Sequence, residues 1–195
     1  MDSGGKNITE EIPFDIPKTW EWIRLSDICD YIHRGKSPTY GNKQELPIIA
    51  QKCNQWDKIY TDKCLFAAVE TINKYTQEQY LQIDDIIINS TGTGTVGRTG
   101  IIADYIFEKY HKFVADSHIT VVRINKKVIA QYIFTVLISP FIQTNIEERC
   151  SGSTNQVELA TKTICNYLIP VPPRYEQFRI FKRLKTILGG IKDGA

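Results

Sequence analysis

The sequence predicts an α+β fold, with mixed or antiparallel strands and a C-terminal helix. Three observations predict it. Short β-branched or aromatic runs recur between Gly- and Pro-containing loops through the first two thirds of the 195 residues, the rhythm of strands joined by turns. Most helical patterning gathers after residue 126, so strands and helices do not alternate as in a doubly wound parallel sheet. The balance of 42% hydrophobic and 24% charged residues excludes wholesale disorder.

The elements follow in order. Residues 1–16 form a polar leader closed by Pro13 and Pro17. Trp20 to Leu25 alternates as a short strand does, and Ser26 is a good N-cap for one or two helical turns over 26–32. Gly35 and Pro38 make 33–41 a loop, and 46–50 is a strand that starts through Pro47. A short helix is expected within 65–80. Residues 86–90 read as a strand, 91–99 as a tight Gly/Thr loop, and 100–103 as extended chain again. Residues 118–124 are the clearest strand. Helices are expected over 127–138 and 140–149, the second with Pro140 in its first turn. A loop at 151–155 and a strand at 167–171 precede Pro172-Pro173. Over 174–188, Tyr175, Phe178, Phe181 and Leu188 recur at helical spacing, giving a helix of about 22 Å with one apolar stripe. Strand alternation puts Ile86, Ile88, Ile119, Val121 and Leu168 in the core.

Composition narrows the function classes. The N-terminus lacks the apolar run of a signal peptide, and the longest apolar stretch, 132–142, is interrupted by Ser139 and Pro140. A cytoplasmic protein without a membrane segment is expected. Five cysteines contain no Cys-x-x-Cys pair, so free buried thiols are expected rather than a zinc ribbon or a redox centre. The net charge of +2 is unevenly spread. Basic and acidic side chains number 5 and 2 over 31–60, 6 and 3 over 91–130, and 7 and 2 over 161–195. Three basic blocks meeting in space would suit an acidic ligand such as nucleic acid.

Gly92-Thr-Gly94-Thr-Val-Gly97 spells the G-x-G-x-x-G pattern after a strand, with Asp116 19 residues beyond Gly97. A dinucleotide site needs a helix to open at the third glycine, so that its N-terminus holds the pyrophosphate. Here Arg98-Thr-Gly100 and β-branched Ile101-Ile102 follow, which is extended chain. Two readings stay open: a turn whose amides and hydroxyls meet a phosphate, or a purely structural turn. No Gly-x-Ser-x-Gly elbow, His-Glu-x-x-His zinc pattern or Asp/Glu-x-Lys nuclease pair occurs, and the Val171-Pro-Pro-Arg174 run lacks the residues of an amino-methyltransferase motif. No catalytic residue, metal site or cofactor is expected.

Several segments together resemble a known family. They are 16–25 (Ile-Pro-Lys-Thr-Trp-Glu-Trp-Ile-Arg-Leu), Gly35-Lys-Ser-Pro38, Asp85 to Ser90, Gly94-Thr-Val-Gly-Arg98, Gly152-Ser-Thr154 and the Pro-Pro-x-x-Glu-Gln-x-x-Ile run from Pro172 to Ile180. In this order they resemble the specificity subunit of type I restriction-modification systems. Residues 17–173 would be one target-recognition domain and 174–195 the start of the conserved spacer helix. Family members usually carry two such domains, so the chain matches a half-subunit or a fragment.

The resemblance implies a non-catalytic reader of double-stranded DNA that directs a methyltransferase subunit and a restriction subunit. Those partners would use S-adenosylmethionine and ATP, and this chain neither. Candidate phosphate contacts are Arg34, Lys36, Thr93, Thr95 and Arg98; candidate base readers are Gln51, Asn54, Gln55, Asn155 and Gln156. Tyr175, Phe178, Phe181 and Leu188 would pair the helix with that of a second copy in a weak homodimer. The rival readings are a small-molecule or nucleotide enzyme built on the Gly92–Gly97 loop, and a protein scaffold that does not touch DNA.

Overall fold

A computed structural model describes residues 8–144, 146–152 and 157–188. The centre is an antiparallel sheet of β2 (Cys29–Arg34), β9 (Ile119–Ile124), β6 (Ile86–Asn89) and β7 (Thr99–Ile101), in that spatial order. The register pairs Ile86 with Val122 and Ile87 with Val121. Ile86, Ile88 and Val122 face a core completed by Tyr132, Ile133 and Leu137, while Ile87, Ile119 and Val121 face a second one around Phe113, Ile102 and Ile106. Every residue of β6 is therefore buried. Both faces being covered explains the unbroken Ile-Ile-Ile run, which a sheet with one wet face would not tolerate.

Two smaller sheets flank this one. β3 (Tyr40–Gly41), β5 (Leu65–Ala67), β4 (Pro47–Ile49) and β8 (Val114–Ala115) form a mixed sheet in which β4 and β8 run parallel. β1 (Glu21–Arg24) pairs antiparallel with β10 (Leu168–Val171), Glu21 opposite Val171. The remaining helices are α1 (Val69–Ile72), α2 (Ala130–Leu137), α3 (Pro140–Gln143), α4 (Thr161–Cys165) and α5 (Arg174–Leu188).

Several expectations are corrected. Residues 65–80 hold a strand, the single turn α1 and a 3-10 turn at Gln77–Gln79 rather than one helix. β5 has a strand on each side, Phe66 pairing with both Gly41 and Pro47, which outweighs local helix propensity. Within 26–32 only a 3-10 turn, Leu25–Ile28, forms before β2 takes over. The 140–149 helix stops at Gln143, and a separate 3-10 turn covers Ile146–Arg149. Ile86, Ile88, Ile119 and Val121 are buried as expected, but Leu168 is half-buried and Ile169 occupies the core position instead.

The described part of the leader is tied down. Phe14 meets the edges of Trp22 and Phe141 at 5.0 and 5.4 Å, and Arg24 pairs with Glu11 at 2.6 Å. α5 docks through its first turns. Gln177 is buried, accepts from the Ile129 amide at 2.9 Å and donates to the Pro172 carbonyl at 2.8 Å. Trp20 Nε1 donates to Glu176 at 3.1 Å, and Arg174 donates to the Lys126 carbonyl at 2.9 Å. Tyr175, between these docking residues, is exposed, as are Phe178 and Ile187 farther along, and Phe181 is half-buried. Among the described residues no helix is long and apolar enough to cross a membrane, and no three His, Cys, Asp or Glu side chains gather as metal ligands do.

Candidate nucleic-acid interface

One end of the central sheet gathers loops from distant parts of the chain. β6 ends there at Asn89, β7 and β9 begin there, and β2 ends there at Arg34. The 90–98 segment is the turn of the β6–β7 hairpin. Gly92, Gly94 and Gly97 take positive φ of 88, 75 and 81°, which other residues reach only with strain. A Cβ at Gly97 would also come within 2.3 Å of Ile146 Cδ1. An antiparallel strand, not a helix, follows Gly97, so the phosphate-binding helix N-terminus of a dinucleotide fold is missing at this loop. Asp116 is buried, with its carboxyl pushed above the usual range by burial, and it accepts from the His118 amide at 2.9 Å. It shapes a turn; it does not face a ribose.

The 51–60 loop is latched to this hairpin. Gln51 Nε2 donates to Thr91 Oγ1 at 2.8 Å and also to the Thr91 carbonyl, while Thr91 Oγ1 meets His118 Nδ1 at 2.8 Å. Asn54 is fully buried, and its Nδ2 donates to Asn89 Oδ1 at 2.9 Å and to the Arg98 carbonyl at 3.0 Å. Arg98 Nη1 donates to Gln55 Oε1 at 2.7 Å, and its guanidinium lies 6.0 Å from the centre of the exposed Trp56 ring. Thr95 Oγ1 donates back to the Thr91 and Gly92 carbonyls at 3.1 and 3.2 Å. Thr93 is exposed on the loop tip.

The other candidates surround this cluster. Arg34 reaches the Ser90 and Leu159 carbonyls at 3.3 and 3.4 Å and pairs with Glu158 at 3.2 Å. The Gly92 amide donates to the Val157 carbonyl at 3.2 Å, which brings Val157 and Glu158 alongside. Lys36 leans away, donating to the Lys74 carbonyl at 3.1 Å with Tyr75 beneath it at 5.6 Å. Asn155 and Gln156 lie outside the described residues.

The fold thus brings Gln51, Asn54, Gln55, Thr95 and Arg98 together, with Arg34 at their edge. It also sorts them. Asn54 has no surface to offer, and Arg34 braces two loops with its charge already met by Glu158. Sequence reasoning missed Trp56, His118 and the cations around Tyr60, where Lys58 and Lys63 lie 4.8 and 4.1 Å from the ring. Asp57, held below the usual carboxylate range by the Tyr60 hydroxyl 2.6 Å away, is one acid among them and Asp62 another. A tryptophan inside a polar Gln-Trp-Asp-Lys turn was the available signal for the first of these. Chemically the surface offers amide groups, hydroxyls, cations and one aromatic face, the functional groups that meet phosphates and base edges.

Comparison with known proteins identifies the family of the chain. Residues 17–193 match the family described as type I restriction modification DNA specificity domain. The specificity subunit of the MjaVIII type I restriction enzyme of Methanocaldococcus jannaschii is 26% identical over 182 residues, covering 89% of this chain and 40% of that protein. The EcoEI specificity subunit of Escherichia coli is 27% identical over 179 residues, covering 88% of this chain and 28% of that one. The crystal structure of the HsdS subunit from Thermoanaerobacter tengcongensis aligns over 94% of this chain and 45% of its own, with a TM-score of 0.65 at 17% identity. The chain therefore spans less than half the length of each of these relatives.

Proposed function

From the premise that this chain belongs to the family of type I restriction modification DNA specificity domains, we propose that it reads a double-stranded DNA sequence on behalf of separate methyltransferase and restriction subunits. Residues 17–173 form the reading domain in this proposal, and 174–195 begin the spacer helix. The supporting observation is that the 33–38, 51–60, 90–98 and 116–118 loops and residues 157–158 join at one end of the central sheet around Arg98. The protein supplies contacts and no chemistry. Arg98 and Thr93 face phosphates, and Lys36, turned toward Lys74, meets one at the margin of the cluster; Gln51 and Gln55 orient the loops and offer their remaining amide valences to base edges. Asn155 and Gln156, outside the described residues, are the remaining base readers of this proposal.

Binding is expected to weaken steeply with salt, since each neutralised phosphate releases condensed counterions. Arg98→Ala and Lys36→Ala should each reduce the slope of log affinity against log salt by about one. If both variants keep the parental slope in anisotropy titrations on duplex DNA, the phosphate-facing surface is misplaced.

The exposed Tyr175 and Phe178 support a second part of the proposal, a weak two-fold dimer through α5 that reads an inverted repeat. Phe181 and Leu188 extend the same stripe. Phe178→Asp is expected to yield monomer in sedimentation runs at concentrations where the parent associates. A parent that stays monomeric at every concentration removes this part.

A further inference from the structure

Three tryptophans occur, and two have structural duties. Trp20 holds Glu176, while Trp22 donates to the Phe14 carbonyl at 3.3 Å and packs on Phe14 and Phe141. Trp56 does neither. Its side chain sits at the tip of a tight turn in which the Gln55 amide donates to the Lys58 carbonyl at 3.1 Å, and it is 59% exposed.

The arm beneath it is tied by backbone pairing and burial. Asn54 bridges to Ile59, the Tyr60 amide donates to the Cys53 carbonyl at 2.8 Å, and Cys53, Asn54 and Ile59 are buried at its root. The tip is also held from the side, because Gln55 accepts from Arg98 while the Arg98 guanidinium lies near the indole. A large apolar ring is thus held in water on a hydrogen-bonded arm, beside Arg98. A large apolar side chain beside a cation can meet a base edge in a groove, such as a thymine methyl, while the cation meets the phosphate.

Resting on the DNA-reading proposal above, we propose that Trp56 is a specificity-determining residue whose indole packs against a nucleobase of the target. Arg98 is then its positioning residue as well as a phosphate contact. Because the arm is already ordered, little conformational freedom is lost when the ring is covered.

The test uses the whole chain and a duplex enriched by it from a randomised pool. Trp56→Ala is expected to lower affinity for that duplex about ten-fold, within the range for one lost contact to a base in a groove. Its salt slope should stay parental, because the ring neutralises no phosphate. Trp56→Phe should keep most of the affinity. DNA-induced change in tryptophan fluorescence should be strong in the parent and nearly absent in Trp56→Phe, whose two remaining indoles lie in the structural contacts described. Parental affinity in Trp56→Ala, or an unchanged fluorescence response in Trp56→Phe, overturns the inference while leaving the chain a DNA reader. Normal DNA binding by Trp56→Ala with lost capture of a methyltransferase subunit overturns it in favour of a protein contact. If the parent enriches no sequence, the DNA-reading proposal itself fails and this inference with it.

Discussion

Arg123→Ala is expected to cost about 3–5 kcal/mol of folding stability, the range for breaking a buried ion pair from one side. Arg123 lies on β9 and forks onto Asp85, Nε to Oδ1 and Nη2 to Oδ2, both at 2.8 Å. Its remaining N–H groups donate to the Tyr80 and Glu78 carbonyls at 3.0 and 3.3 Å, and its plane covers Tyr31 at 5.2 Å. Asp85 is fully buried, and burial pushes its carboxyl above the usual range against the pull of Arg123 and the Gln82 amide. Without the guanidinium that carboxyl has one amide donor left, so it takes up a proton. A native state that holds this proton more tightly than the unfolded chain gains stability as pH falls, so the deficit should shrink toward the carboxylate range. Urea unfolding at two pH values measures both effects. A loss under about 1 kcal/mol, small beside the usual total of about 5–15, would remove Arg123 from the determinants of the fold.

The second large effect is expected at Gly35. An added Cβ would lie 2.2 Å from the Ala115 carbonyl oxygen, 2.3 Å from that of Asp116 and 2.5 Å from the Ala115 carbonyl carbon. All three are backbone atoms, so no side-chain rotation relieves the clash. The end of β2 must lift from the β8–β9 link, which strains two bonds: Gly35 N–H to the Ile119 carbonyl at 2.9 Å and Lys36 N–H to the Ala115 carbonyl at 3.2 Å. Overpacking plus two weakened hydrogen bonds predicts a loss of about 3 kcal/mol or more for Gly35→Ala. Gly94→Ala is the control: φ is positive there but nothing lies within 4 Å, so only the backbone cost of about 1–2 kcal/mol applies. Equal denaturation midpoints for the two variants would refute the close crossing.

Legibility in the sequence followed the range of the interactions concerned. β6, β9, β10 and α5 were readable because local runs such as Ile86-Ile87-Ile88 and the Pro172-Pro173 stop declare themselves within a few residues. β8 was not, since two residues carry no period and Val114 and Ala115 become a strand only by pairing with Ile48 and Ile49. The alternation rule misassigned Leu168 because β1–β10 is a two-stranded ribbon whose inward parity falls on Ile169. At the candidate site, the glycine turn was legible through its need for positive φ. The division of labour among the amides was not. Whether Asn54 or Gln55 reaches outward depends on Asn89 and Arg98, more than 30 residues away along the chain.

The pairing of β1 with β10 sets a schedule for synthesis. Glu21 waits for Val171, 150 residues later, before its backbone groups meet those of a neighbouring strand. At translation rates of about 5–20 residues per second, that wait lasts about 7–30 s. Through this interval the nascent chain carries a naked strand whose Trp22 and Ile23 still await Pro170 and Ile169. Such an edge is a template for pairing with another nascent chain on the same message. Slow codons between residues 124 and 168 should therefore raise aggregation of the newborn protein while leaving the stability of the finished fold untouched.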